Sequence, residues 1–119
     1  MGRLFLKSAM SALIILSACG GGDGPSDLDE PGTPVASATV VASATSQTFS
    51  PARVDLLRNG NVTWSFGSLA HNVTFTSAGS PANIGDTTNA QVSRSFPNAG
   101  TFDYRCTIHP GMSGRVVVQ

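Results

Sequence analysis

The amino-acid sequence predicts an all-β domain, a β-sandwich of about seven short strands, over residues 37–119. Three observations support this prediction. Thr, Val, Ser and aromatic residues, which favour strands, dominate this part of the chain. Turn-forming Gly, Pro, Asn and Asp residues recur at short intervals between the strand-like segments. No stretch shows a convincing helical pattern, so we expect two layers of strands around one core.

The first half of this domain is predicted to hold four strands. Residues 38–44 form the first strand, and after an interruption at Pro51 residues 54–57 form the second. The pair Asn59-Gly60 is a strong hairpin signal, so we expect the chain to reverse there. Alternation of apolar and polar residues then predicts a third strand at 62–66, with Val62, Trp64 and Phe66 inward, and a fourth at 71–76, with His71, Val73 and Phe75 inward.

The second half begins with a long predicted loop, residues 77–90, that is rich in Gly, Ser, Pro, Asn and Asp. Strands are expected at 91–96, 101–106 and 114–119. The predicted inward side chains are Val92, Phe96, Phe102, Tyr104 and Cys106, and the last strand carries Val116, Val117 and Val118. Trp64 and Tyr104 are assigned to the apolar core. A domain of about 83 residues is near the lower limit for a self-sufficient core, so a bound metal would help to stabilise it.

Residues 1–18 have the charge order of a secretory signal, with Arg3 and Lys7 ahead of an uncharged, mostly apolar run. That run is well short of the ~20 residues that a membrane-spanning helix needs. The sequence Leu-Ser-Ala-Cys-Gly at 16–20 resembles the lipobox of bacterial lipoproteins. The resemblance implies that 1–18 are a lipoprotein signal peptide, that Cys19 carries the lipid, and that the protein is secreted to the cell envelope and held at a membrane. Ordinary secretory cleavage and a short buried helix are the alternatives.

The segment after Cys19 is predicted to be a disordered tether, so that residues 19–36 link the lipid to the domain. Residues 20–36 hold five Gly, three Pro and four acidic residues with almost nothing apolar, too little to offset their ordering entropy. The whole chain has seven Lys and Arg against seven Asp and Glu. Because there is no basic field, nucleic acid is not an expected partner. We also expect a monomer.

Scarce residue types carry the strongest signal in the chain, which has two His, two Cys and three Met. The segment Cys-Thr-Ile-His-Pro-Gly-Met at 106–112 places a thiol, an imidazole and a thioether in one short turn, which Pro110 and Gly111 favour. His71 lies 35 residues upstream of the thiol, on the apolar face of its predicted strand. Alone, each residue reads as a core thiol, a core histidine or a packing methionine. Together, a thiolate, two imidazoles and a weaker axial thioether form the ligand set of a blue-copper site. The candidate ligands are His71, Cys106, His109 and Met112.

The chain resembles a cupredoxin of the plastocyanin, pseudoazurin and amicyanin kind over residues 38–119. The matching stretches are Phe49-Ser50-Pro51, Val62-Thr63-Trp64, His71-Asn72-Val73 and Gly100 through Cys106 into the ligand loop. The two-residue gap between His109 and Met112 is most like that of amicyanin. The resemblance implies a Greek-key β-sandwich. It also implies one copper ion that alternates between Cu(I) and Cu(II) at His71, Cys106, His109 and Met112, with Asn72 bracing the thiolate loop.

A soft thiolate and thioether favour copper, whereas zinc gains little from a thioether. Four protein ligands leave no open position for a substrate, and the domain has no third His for a second, catalytic copper, so we do not expect an enzyme. The resemblance implies a membrane-tethered one-electron carrier that docks transiently to redox partner proteins near His109, among the apolar residues Ile108, Pro110 and Leu69. A copper buffer or delivery protein is the alternative, and a metal-free interaction module is a third.

Overall fold

The computed structural model describes Leu28 and residues 30–119. These residues form eight strands, so the prediction of an all-β sandwich is confirmed, with one strand more than expected. The described part of the chain contains no helix long and apolar enough to cross a membrane. The strands are β1 (Val35–Ala42), β2 (Phe49–Ser50), β3 (Arg53–Phe66), β4 (His71–Phe75), β5 (Ile84–Thr87), β6 (Ala90–Phe96), β7 (Gly100–Arg105) and β8 (Ser113–Val118).

Neighbouring strands are hydrogen-bonded in the order β2-β1-β3-β8-β7-β4-β5, and β6 also pairs with β3. The long strand β3 belongs to both layers of the sandwich. Its first part runs parallel to β8, from Arg53 opposite Arg115 to Leu56 opposite Val118. Its second part runs parallel to β1 and antiparallel to β6. β3 therefore ties together the two layers that enclose the core.

The hairpin predicted at Asn59-Gly60 is wrong, because β3 continues through both residues. Asn59 adopts a positive φ of 68°, and the pairing with β1 shifts register between Val35 and Ser37. A Cβ on Gly60 would lie 2.8 Å from the carbonyl oxygen of Ala36, so the two backbones approach too closely for a side chain. The Asn-Gly pair thus forms a bulge that bends the strand instead of reversing it.

The loop predicted at 77–90 is also partly wrong, since it contains β5 and the first residue of β6. Ile84 is the reason: it is buried, and it pairs with Val73 of β4. Asn83, directly before Ile84, also contacts β4, because its side-chain oxygen accepts a hydrogen bond from the amide of Phe75 at 2.9 Å. A single apolar residue among Gly, Asp and Thr is too weak a signal to predict a strand from sequence. In the structure the strand forms because the side chain of Ile84 is buried in the core.

The core is one cluster that contains buried side chains from all eight strands. The predicted inward residues Trp64, Tyr104 and Cys106 are buried, but in β4 the alternation fails, because Asn72 is buried together with its neighbours. The rings of Trp64 and Tyr104 meet edge to face at 5.4 Å between centroids. Gly114 lies opposite Tyr104 in the β7–β8 pair, and a Cβ there would overlap the tyrosine ring and hydroxyl.

The end of the segment predicted as a tether belongs to the fold. β1 begins at Val35, within that segment, and the amide of Gly32 donates to Asp55 Oδ2 at 2.8 Å. Arg53 and Arg115 both donate to the carbonyl oxygen of Leu28, at 3.0 and 3.3 Å. Residues 1–27, with the predicted signal peptide and lipidation site Cys19, lie outside the described residues, as does residue 29.

Candidate metal centre

Two neighbouring antiparallel strands bring the candidate ligands to one edge of the fold. β4 begins at His71, and Cys106 directly follows the end of β7. Because the two strands pair through Thr74 opposite Arg105, the start of one and the end of the other lie side by side. His109 is in the loop between β7 and β8, three residues after Cys106. The pairing thus joins residues that are 35 positions apart in sequence.

Three donor atoms converge at this edge. The Nδ1 atoms of His71 and His109 are 3.1 Å apart. The Sγ atom of Cys106 lies 3.6 Å from His109 Nδ1 and 4.0 Å from His71 Nδ1. A first-row ion such as zinc binds His nitrogen at about 2.0–2.1 Å and thiolate at about 2.3 Å, which separates neighbouring donors by roughly 3–4 Å. The spacing therefore fits one ion held by all three residues.

His71 is completely buried, with 0% of its surface exposed. Its Nε2 lies 3.1 Å from the carbonyl oxygen of Ser43, which can only accept, so Nε2 carries the proton and Nδ1 presents a lone pair. Burial is the main influence that lowers the pKa of His71, with a smaller contribution from nearby His109. The hydrogen bond to Ser43 opposes this shift, and it sets the tautomer in which Nδ1 is free to bind a metal.

The loop from Cys106 to Met112 closes on itself through its backbone. The amide of Cys106 donates to the carbonyl of Met112 at 2.9 Å, and the amide of Met112 donates to the carbonyl of His109 at 3.2 Å. Gly111 adopts a positive φ of 84°, which a residue without a side chain tolerates best. Met112 is buried, while His109 is only half-buried. One imidazole is therefore the part of the centre nearest to solvent.

A scan against protein families matches residues 36–119 to the copper binding proteins of the plastocyanin/azurin family. The chain belongs to this family. The residues suit one copper ion in this cupredoxin. His71 of β4 and His109 of the loop offer imidazoles, and the two sulfur groups of the loop, on Cys106 and buried Met112, are soft ligands that favour copper. Among the described residues, His71, Cys106 and His109 form the only group of three or more His, Cys, Asp or Glu close enough to hold a metal.

Solved cupredoxins share this architecture. The reduced Cu(I) form of a mutant amicyanin is 25% identical, with a TM-score of 0.60, covering 79% of this chain and 90% of that one. A pseudoazurin from Sinorhizobium meliltoi is 22% identical, with a TM-score of 0.58 and coverage of 70% and 73%. A mutant plastocyanin of fern is 20% identical, with a TM-score of 0.61 and coverage of 68% and 99%. The last two show the fold alone. A search of curated proteins finds no match.

In this cupredoxin, Asn72 joins β4 to the residue that follows the thiol. Its Oδ1 accepts from the amide of Thr107 at 3.0 Å, and its Nδ2 donates to the Thr107 hydroxyl at 2.7 Å. Nδ2 also donates to a carboxylate oxygen of Asp86 at 2.9 Å. Asn72 is buried, so these bonds are shielded from water. The side chain therefore connects β4 to the start of the loop that holds the other three candidate ligands.

Sequence reasoning missed three residues around the centre. Ser43 acts through its backbone carbonyl, which no side-chain pattern reveals. Asp86 lies in the stretch that was predicted to be a loop, and Thr107 is an ordinary residue between two ligands. Of these three residues, only Thr107 could have been found from the sequence, because it directly follows the thiol residue Cys106.

Proposed function

We propose that this chain is a blue-copper protein that carries single electrons between partner proteins in the cell envelope, at a membrane to which lipid on Cys19 anchors it. Copper, when bound, supplies one-electron chemistry between Cu(I) and Cu(II). The observation that carries the proposal is the close approach of His71, Cys106 and His109, with donor atoms 3.1–4.0 Å apart. Met112, buried in the same loop, completes the ligand set of a blue-copper site.

The protein holds these donors in place through bonds that do not involve a metal. His71 is bound to Ser43, and Asn72 to Thr107. The Cys106 amide is bound to the Met112 carbonyl. Because these contacts restrict the ligands, a change of oxidation state needs little rearrangement of the protein. Low rearrangement favours fast electron transfer.

The part of the centre that meets partners is the edge around His109. This imidazole is half-buried, whereas His71 is completely buried. The neighbouring Ile108 is 43% exposed, and Pro110 is exposed as well. A small apolar surface around one accessible ligand fits the brief, weak docking of redox proteins. We infer that electrons enter or leave here.

The membrane anchor rests on the sequence around Cys19, which resembles a lipobox. Replacing Cys19 by Ala should abolish incorporation of a radiolabelled fatty acid in a bacterial host and release the protein from membranes. The matched control is Cys106→Ala, which should retain the label. Label that persists in the Cys19→Ala variant would refute lipidation at this residue.

The main test is addition of Cu(II) to the purified full-length protein, followed by visible and EPR spectra. We expect an intense thiolate-to-copper charge-transfer band at one copper per chain, and no such band in Cys106→Ala. A colourless protein would refute a blue-copper centre. Transfer of Cu(I) to a competing chelator then separates a carrier from a delivery protein. A carrier retains the metal in both oxidation states, whereas a delivery protein releases Cu(I) readily.

A further inference from the structure

Asp86 lies outside the candidate ligand set, yet it is connected to it through one side chain. This exposed residue of β5 accepts a hydrogen bond from the buried amide of Asn72, at 2.9 Å from Nδ2 to Oδ1. Its neighbour Thr87 pairs with His71 across the β4–β5 ladder. The carboxylate is thus placed beside the strand that supplies one ligand and bound to the residue that braces the loop of the other three.

The hydrogen bonds of Asn72 form a complete set. Oδ1 accepts from the Thr107 amide at 3.0 Å and from the Thr74 hydroxyl at 3.1 Å. Nδ2 uses its two protons on the Thr107 hydroxyl at 2.7 Å and on Asp86. A carboxylate only accepts, so Asp86 forces the amide nitrogen to face it. With the nitrogen directed there, the oxygen is left to receive the Thr107 amide.

Within the described part of the chain, Asp86 forms no ion pair shorter than 4 Å. Two other carboxylates on the domain have arginine partners, Asp55 with Arg53 and Asp103 with Arg115. Asp86 instead bonds to a neutral amide. A negative charge near a metal centre favours the more positive oxidation state, and because Asp86 is exposed, water screens part of this effect.

We propose that Asp86 is a positioning residue that holds Asn72 in its bracing orientation and stabilises Cu(II) relative to Cu(I). This inference rests on the proposed blue-copper function for its electrostatic part. Its structural part concerns hydrogen bonds that exist without a metal. The two parts are separable by substitution, because asparagine keeps an acceptor at residue 86 and removes only the charge.

The first test measures the reduction potential of the copper-loaded full-length protein. Asp86→Asn should raise the ratio of Cu(I) to Cu(II) affinity about two- to tenfold. This corresponds to a reduction potential roughly 18–59 mV higher, since tenfold is 59 mV for one electron. Glu30→Gln is the matched control, because it also removes one carboxylate charge, from an exposed residue outside the network. Equal potentials in the two variants would overturn the electrostatic part.

The second test measures hydrogen exchange of the Thr107 amide in the metal-free protein. Asp86→Ala should speed this exchange at least about tenfold relative to wild type, because the amide of Asn72 is no longer held. Asp86→Asn keeps an acceptor and should stay within about threefold of wild type. Asp86→Leu, which also removes the acceptor, takes the place of the alanine variant if that variant does not fold. Unchanged exchange in Asp86→Ala would overturn the positioning role.

The outcomes also separate this inference from the proposed function. A wild-type protein that never develops the charge-transfer band refutes the blue-copper proposal, and the exchange experiment still tests the role of Asp86. A blue wild-type protein whose Asp86 variants change neither potential nor exchange refutes only the inference about Asp86.

Discussion

The Nδ1 atoms of His71 and His109 face each other at 3.1 Å, although the residues are 38 positions apart in sequence. The two imidazoles differ sharply in their surroundings. His71 is completely buried and bound to the carbonyl of Ser43. His109 is half-buried in the loop, next to exposed Ile108 and Pro110. Of the two candidate imidazole ligands, His71 is therefore closed to solvent and His109 is accessible to it.

Imidazole rescue should distinguish the two histidines. His109→Gly should lose the blue colour and regain it when imidazole is added, because the vacated position reaches the surface. His71→Gly should lose the colour and need at least about tenfold more imidazole, because its position is closed to solvent. The measurement is the charge-transfer band during an imidazole titration. Rescue of both variants at the same concentration would contradict this difference in access.

Met112→Leu should keep copper bound and raise the reduction potential. Leucine has nearly the same volume, so the buried position is conserved while the sulfur donor is lost. We expect the ratio of Cu(I) to Cu(II) affinity to rise about tenfold, which raises the reduction potential by about 59 mV. Ile84→Leu, a swap at another buried position, is the control for repacking and should leave the potential unchanged. A potential equal to that of wild type would show that Met112 is not the axial ligand.

Asp55 should make the stability of the domain sensitive to acid. Its hydrogen bond with Arg53 is the main cause that lowers its pKa below the ordinary value, and the Gly32 amide adds to this. A lowered pKa in the folded state means that the stabilisation is complete above the unfolded pKa of about 3.9. It is lost as the pH falls from there through the folded pKa.

Urea unfolding of Asp55→Asn measures this contribution. At pH 7 the variant should lose about 1.5–3 kcal/mol, the usual value for a hydrogen bond to a charged group. The difference from wild type should shrink as the pH falls below about 4. Asp103→Asn is the control, because the Asp103 side chain is 43% exposed and its ion pair is worth at most about 1 kcal/mol. A pH-independent difference for Asp55→Asn would contradict the linkage.

Gly60→Ala should destabilise the fold through the bulge in β3. A Cβ there would lie 2.7 Å from Leu56 Cγ and 2.8 Å from the Ala36 carbonyl oxygen, and the second contact involves backbone. We expect a loss of about 1–3 kcal/mol. Gly85→Ala is the control, since a Cβ there meets nothing within 4 Å, and should change stability by at most about 0.5 kcal/mol. Equal stabilities in denaturant would show that the bulge tolerates a side chain.

Local signals predicted much of the fold, and the errors have one cause. Alternation predicted the buried faces of β7 and of the second part of β3, because a strand with one buried face imposes a period of two. The Asn59-Gly60 pair failed as a hairpin signal because the same backbone freedom also serves a bulge. The choice between them depends on the pairing of β3 with β1 and β8, which is not local.

The candidate site divides in the same way. By itself, the sequence determined that Cys106, His109 and Met112 share one short turn and that His71 starts a strand, since spacing and turn residues act over a few positions. Only the tertiary structure decided that His71 Nδ1 meets Cys106 Sγ at 4.0 Å, because that distance depends on the pairing of β4 with β7. It also decided which groups support the centre. The Ser43 carbonyl and the Asp86 carboxylate belong to distant segments, and long-range packing alone brings them to it.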